Sequence, residues 1–329
     1  MGDLRKTRCM HRRRPRRHVL PQPLMGSAFT GVQAERLGVD ARRLTYDDVV
    51  SLGAGVHASA ALLELTPQEQ RHHLVAKALA SEMPGVWISD STAAQLRGLR
   101  LPQHLARDRR VHLTQRDAPD TRIERTGVTG HRRAARPEDV VEFDGVSMSS
   151  APRNWLELAE CCSHRELVVL GDQFVRRPYE RYEGRSEPYA TIQELHDVLD
   201  ATRRVRGRRV AQAALQDVRR GADSPPETLL RLALLEAGLP EPELQVPAIP
   251  GWFWSPRADM GYPRWKIAIQ YEGATHYDPE QHRADQYRDN VFRSEGWLVM
   301  HVNSDDLGAR FRRVVRSVEL ELRRLGALL

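Results

Sequence analysis

The chain has 329 residues, 29% of them charged, with a formal charge of +6 and a mean hydropathy of −0.55. No apolar run is long enough to span a bilayer, and the arginine-rich first twenty residues lack the apolar stretch and cleavage site of a secretory signal. Three cysteines, two of them adjacent, exclude both a disulfide framework and a spaced zinc cluster. These features lead us to expect a cytoplasmic chain of more than one domain, without a membrane partner. Its basic balance suits phosphate-bearing partners, although the excess is almost all arginine, as a high-GC coding bias would also make it.

Residues 1–20 read as a basic flexible tail, and residues 21–65 as a winged-helix-like module. In "FTGVQAERLGVDARRLTYDDVVSLGAGVHA" a first short helix ends at Gly38. Asp40 caps a second helix carrying Arg42, Arg43 and Tyr46, and "LGAGVH" turns as a wing. Arg42 and Arg43 are therefore candidate nucleic-acid contacts, opposed by Asp47 and Asp48 on the same stretch. The competing reading is a helical hairpin that only packs against its neighbour.

Residues 66–176 read as a small α+β domain. It opens on an amphipathic helix with Thr66 and Glu69 as a capping box. Val- and Thr-rich strands follow at "GVWISD", "RVHLTQ", "TGVTGHR" and "VVEFDGVSMSS", and then a helix with Pro152 in its first turn. His72, His73, His112 and His131 have no ligand spacing and read as surface or packing residues. The polar "RPYERYEGRSEPYA" starts a linker with one helix over 177–204.

The carboxy-terminal region, 205–329, reads as helices followed by strand, strand, strand, helix, strand, helix, a mixed sheet flanked by helices in an α/β (α+β overall) chain. One last helix is expected to pack Leu307, Phe311, Val314, Val318, Leu322 and Leu325. In "KIAIQYEG" period-two alternation sets Ile267, Ile269 and Tyr271 on one face and Ala268, Gln270 and Glu272 on the other. If "RADM" pairs beside this strand, Asp259 approaches Gln270 and Glu272 in an oxygen-rich pocket suited to magnesium. That is the equipment of phosphodiester hydrolysis.

The run from "SPPETLLRLALLEAGLPEPELQVPAI" through "RADMGYPRWKIAIQYEGATHY" to "DQYRDNVFRSEGWLVMHV" resembles the very-short-patch-repair-related branch of the PD-(D/E)XK endonuclease fold. The resemblance implies a restriction-endonuclease-like domain that uses Mg2+ or Mn2+ to cleave DNA. It makes Asp259 the first metal ligand, with Gln270 where a second acid is expected and Glu272 where the motif has lysine. Glu227 matches the helix acid before the sheet, and His276 the histidine after the glycine. Asp285, Arg288 and Asp289 match the helix that follows, on which Arg283, Arg288 and Arg293 would receive phosphates. Ser224, Pro225 and Glu227 also satisfy an ordinary helix start.

The amino-terminal half is similar to the winged-helix region of abortive-infection antitoxins, which implies a transcriptional regulator with a toxin partner. The expected function is a DNA-binding, metal-dependent endonuclease. The alternative is a non-catalytic regulator or antitoxin that keeps the nuclease fold as a DNA-binding or homodimerising platform.

Overall fold

The computed structural model describes residues 19–116, 123–273 and 279–328. Residues up to Pro84 group with 124–128 in one compact unit, and the rest of the chain forms a second.

In the first unit, strands β1 (Phe29–Thr30), β2 (Val49–Gly53) and β3 (Val56–Ser59) pair antiparallel in the order β1-β3-β2. Thr30 ends β1 and starts the helix Gly31–Arg36 through a reciprocal capping box with Gln33. The β2–β3 turn passes through Ala54 and Gly55, both at positive φ (52° and 74°), the hand that matches strand twist. The second helix expected after Gly38 is only a 3-10 turn, Arg43–Thr45. Asp40 does accept the Arg43 N–H, at 2.8 Å. Arg43, however, is 7% exposed and folds back to fork Asp48 at 2.9 and 2.7 Å. Arg43 is thus a buried brace rather than a surface contact, whereas Arg42 stays exposed. Thr66 does not open a helix. It closes Ala60–Leu65, donating its hydroxyl to the Leu62 carbonyl at 2.8 Å. The helix Arg71–Glu82 that follows packs on β1, β2 and β3 and so belongs to this unit.

The second unit has two sheets. Strands β4 (Val86–Ile88), β5 (Val111–Arg116), β6 (Val128–Arg133), β7 (Val140–Phe143) and β8 (Val146–Ser149) lie in the order β6-β5-β4-β8-β7. The β4–β8 pair is parallel, and β7–β8 is a hairpin turned by Asp144 and Gly145 at φ 50° and 76°. Four helices, Ala151–Leu158, His164–Val175, Ile192–Ala201 and Arg208–Asp217, close a core around Trp155, Phe174, Leu195, Leu199 and Leu215. The stretch expected as linker, 177–204, therefore contributes buried residues to this core. Burial of such side chains is worth about 1.5–3 kcal/mol each.

Strands β9 (Glu243–Pro247), β10 (Arg257–Tyr262), β11 (Ile267–Tyr271) and β12 (Leu298–Val302) form the second sheet, in the order β12-β11-β10-β9. It is mixed: β9, β10 and β11 are antiparallel, and β12 lies parallel to β11 after the crossover helix Pro279–Ser294. Met260, Ile267 and Ile269 pack against Leu230, Leu234, Val314 and Val318 on one side. Ala258 and Ala268 pack against Phe292 and Trp297 on the other. The chain is α+β, with this open mixed sheet flanked by helices. The single last helix expected from the heptad-like spacing is instead two, Ser304–Gly308 and Arg312–Arg324, broken at Arg310 and Phe311 in the left-handed region (φ 53° and 56°). Leu325 consequently ends 39% exposed. Among the described residues no helix is long and apolar enough to cross a membrane.

Candidate active site

The site begins where the β10–β11 ladder opens. Its last pair is Met260↔Ile269. One step further the Tyr271 N–H donates not to a strand carbonyl but to the Asp259 carboxylate, at 2.6 Å. On the other side of β11 the parallel register sets Gln270 beside His301 of β12. Asp259, Gln270 and His301 thus form a polar row over three adjacent strands. On β9, Gln245 sits at φ 54°, a conformation that costs a non-glycine residue about 1–2 kcal/mol. This breaks the alternation of β9, so that Leu244 and Val246 pack into opposite cores. The Gln245 amide meanwhile bonds the Gly221 carbonyl and Asp223 at 3.1 and 3.2 Å.

Glu227 enters from the first turn of helix Pro225–Glu236. The expected capping box is not made: the Ser224 hydroxyl donates to Glu227 at 2.6 Å instead of accepting a backbone N–H. The other Glu227 oxygen accepts the Asp223 N–H at 2.8 Å. The acid therefore holds the turn together while 6% exposed. Tyr179 donates to Asp223 at 2.6 Å and completes this wall.

Burial, then the nearby Asp259 charge, pushes the Glu227 carboxyl up to about 8. Burial also raises Asp259, opposed by the Tyr271 N–H and the Arg288 charge. Two carboxylates crowded out of water retain a proton near neutrality, and a cation between them would relieve both.

Gln270 is the most telling residue of the row. It is 1% exposed, and neither its amide oxygen nor its amide nitrogen has a hydrogen-bond partner among the described residues. Leaving a buried amide unmatched costs about 1–3 kcal/mol. Such groups in folded proteins are matched by water or an ion.

Glu272 lies one residue past the end of β11. Its Oε1 is 2.7 Å from His301 Nδ1, and His301 Nε2 is 2.9 Å from Asp289 Oδ2. The Nδ1 contact is close but not aligned as a hydrogen bond. Within the set expected as metal ligands, Asp259 and Gln270 lie on adjacent strands, with Glu227 near enough to feel the Asp259 charge, while Glu272 contacts His301, the strand neighbour of Gln270, which also reaches Asp289.

The three helix arginines do not share a face, since a five-residue spacing turns each about 140° from the last. Arg288, 3.0 Å from Asp285, is the one whose charge reaches Asp259. Arg283 is exposed, and Arg293 pairs with Asp289 at 3.2 Å. His276 lies outside the described residues. His301, Asp223 and Tyr179 were not singled out from sequence. The signal for His301 was a lone imidazole in the apolar strand "WLVMHV", visible once β12 is paired with β11.

Hard oxygen donors from Asp259 and Gln270, beside a carboxylate pair held toward its protonated form, suit a magnesium or manganese ion in kind. Among the described residues, however, the trio of acid and histidine donors lying within 4.8 Å of one another is elsewhere: Asp90, His112 and His131. There Arg133 forks Asp90 at 2.6 and 2.9 Å. His112 spans His131 and Asp108 at 3.0 and 3.2 Å. The acid's charge is already matched by a guanidinium that a cation would have to displace. His112 and His131, read from sequence as packing residues, are members of this buried polar relay.

No protein-family model matches the chain. It is 32% identical over 117 residues to two proteins named as uncharacterized from Mycobacterium tuberculosis, one from strain CDC 1551 / Oshkosh and one from strain H37Rv. The matched stretch is 34% of this chain and 42% of each relative, so the chain spans less than half the length of the curated relatives it matches.

Proposed function

We propose that the carboxy-terminal region is a magnesium- or manganese-dependent DNA endonuclease, with Asp259 and Gln270 as cation ligands. The observation that carries this reading is the buried Gln270 amide without a partner, set by register beside Asp259 and His301. A bound divalent cation would supply charge neutralisation at a phosphodiester and a more acidic water. In this reading the Asp259 carboxylate and the Gln270 amide would hold the cation. Glu227, kept protonated near neutrality by burial and the Asp259 charge, holds the turn and can pass a proton to a leaving oxygen. Arg288 offers its charge to a phosphate beside Asp259.

A second reading is a regulator or antitoxin that keeps the fold without cleavage. Two observations favour it: Gln270 brings no negative charge, and Glu272 is held by His301. Supercoiled DNA incubated with magnesium or manganese separates the two. Nicking by the parent and not by Asp259→Ala supports the nuclease. Salt-dependent binding without nicking supports the regulator. Gln270→Glu adds the missing charge, and titration with Mn2+ should show at least tenfold tighter binding. Equal affinity in parent and Gln270→Glu excludes Gln270 as a ligand.

A further inference from the structure

A cavity of about 960 Å3 opens between the end of β6, the segment 134–136 and the connection 201–206, all within the second unit. Among the described residues, seven arginines and two acids, Asp139 and Glu160, line it. General basicity does not account for this. Residues 1–18 hold eight basic residues and one acid, which leaves the remainder of the chain at a formal charge of −1 against +6 for the whole. The cavity is therefore a concentrated positive patch on an otherwise near-neutral body.

Its floor is neutralised internally. Arg133 forks Asp90, Arg153 bonds Glu157 at 3.1 Å and lies 3.3 Å from Asp139, and Arg136 bonds Asp139 at 2.9 Å. The uncommitted charge is on the rim, where Arg203 and Arg204 are exposed with no hydrogen bond or ion pair among the described residues. Arg206 stands beside them and reaches Glu160 at 3.0 Å.

That rim is braced. Arg208 donates to the carbonyls of Leu199 and Thr202, closing the connection at its base. Val205 packs on the buried core. Gly207, at φ 76°, lies so close to the Ala159 carbonyl that a Cβ would collide with it. The guanidinium groups are thus carried on a fixed wall, which lowers the ordering cost of binding.

We propose that this cleft seats the phosphate backbone of duplex nucleic acid. A small enclosed anion would need several buried, unpaired donors, and here Arg133, Arg136 and Arg153 already hold carboxylates, with the Arg136 Nε alone left unmatched among the described residues. Base-stacking ligands need aromatic platforms, and among the described residues no Phe, Tyr or Trp lines the cleft. What remains is an open row of cations suited to sequence-independent backbone contacts. The inference rests on the nucleic-acid part of the function proposed above, and not on cleavage.

The test is anisotropy of a labelled duplex with the full chain, titrated from about 50 to 200 mM salt, the range over which backbone contacts are read. Arg203→Ala/Arg204→Ala should weaken binding at least tenfold at low salt and reduce the slope of log K against log salt by about 1.8, with thermal unfolding unchanged. Unchanged affinity and slope in the double variant overturn the cleft proposal while leaving the nuclease reading standing. A tenfold preference for single strands, or no salt-dependent duplex binding by the parent, overturns it as well. Failure of the nuclease reading has a separate signature, the absence of nicking with duplex binding and its loss in the double variant intact.

Discussion

Asp90 shows how much one residue carries in the five-stranded half of the second unit. It is 3% exposed and adopts φ 50° at the start of the helix Asp90–Leu96. Burial pushes its carboxyl up, but the hydrogen bonds and charge of Arg133 more than offset this and hold it well below its ordinary range. Its carbonyl accepts from Asn154 at 2.9 Å, and its N–H donates to Glu157 at 3.3 Å. An aspartate tolerates this backbone region better than most residues, so Asn is the substitution that keeps both shape and backbone while removing charge. Asp90→Asn removes the close fork and leaves the Arg133 guanidinium, at 13% side-chain exposure, only the longer contacts to Glu160 and Glu157 at 3.5 and 3.7 Å, a loss of about 3–5 kcal/mol for a broken buried pair. Urea unfolding should register it as a lower midpoint with an unchanged slope. A change under about 1 kcal/mol would mean that the fork contributes no more than a surface pair.

At the scale of elements, the interrupted carboxy-terminal helix offers the cleanest backbone test. Arg310 is exposed, carries no side-chain hydrogen bond among the described residues and sits at φ 53° where the chain turns between Ser304–Gly308 and Arg312–Arg324. Glycine adopts that region freely, so Arg310→Gly should stabilise by about 0.5–1 kcal/mol, the strain relieved less the added freedom of the unfolded chain. A destabilised variant would show that the arginine has a role beyond the turn.

The apolar spacing of this segment was legible in sequence, and Phe311, Val314, Val318 and Leu322 are indeed buried. Its break was not, because neither Arg310 nor Phe311 is a residue that announces left-handed backbone. The same reason hid Gln245. Alternation in "KIAIQYEG" was enough to set Ile267 and Ile269 against the core and Gln270 on the opposite face. The relation between Gln270 and His301 needed a parallel pairing across a sixteen-residue helix, and sequence spacing carries no register of that kind.

For the whole molecule, the buried acids set an unusual dependence on pH. Glu227, Asp259 and Asp172 are all raised above their ordinary values, burial being the largest cause in each. The folded chain therefore binds more protons than the unfolded chain once pH exceeds the unfolded carboxyl values. Stability from these groups is full below about pH 4 and falls as pH rises toward the Glu227 value of about 8. Asp90, Asp108 and Asp306 are lowered, and their contribution is lost only on acidification below about pH 4. In a chelator the Tm should therefore peak in the mildly acidic range and decline through pH 6 to 8. Glu227→Gln should flatten the upper part of the decline by at least 1 kcal/mol, roughly 2–4 °C, while the part below pH 6, where Asp172 titrates at about 6, persists. Magnesium or manganese competes with the same protons, so its stabilising effect should grow with pH over this window in the parent and vanish in Asp259→Ala. A Tm that rises from pH 6 to 8 in chelator would show that the Glu227 and Asp259 carboxyls ionise freely in the folded chain, and the crowded pair would then offer a cation nothing to relieve.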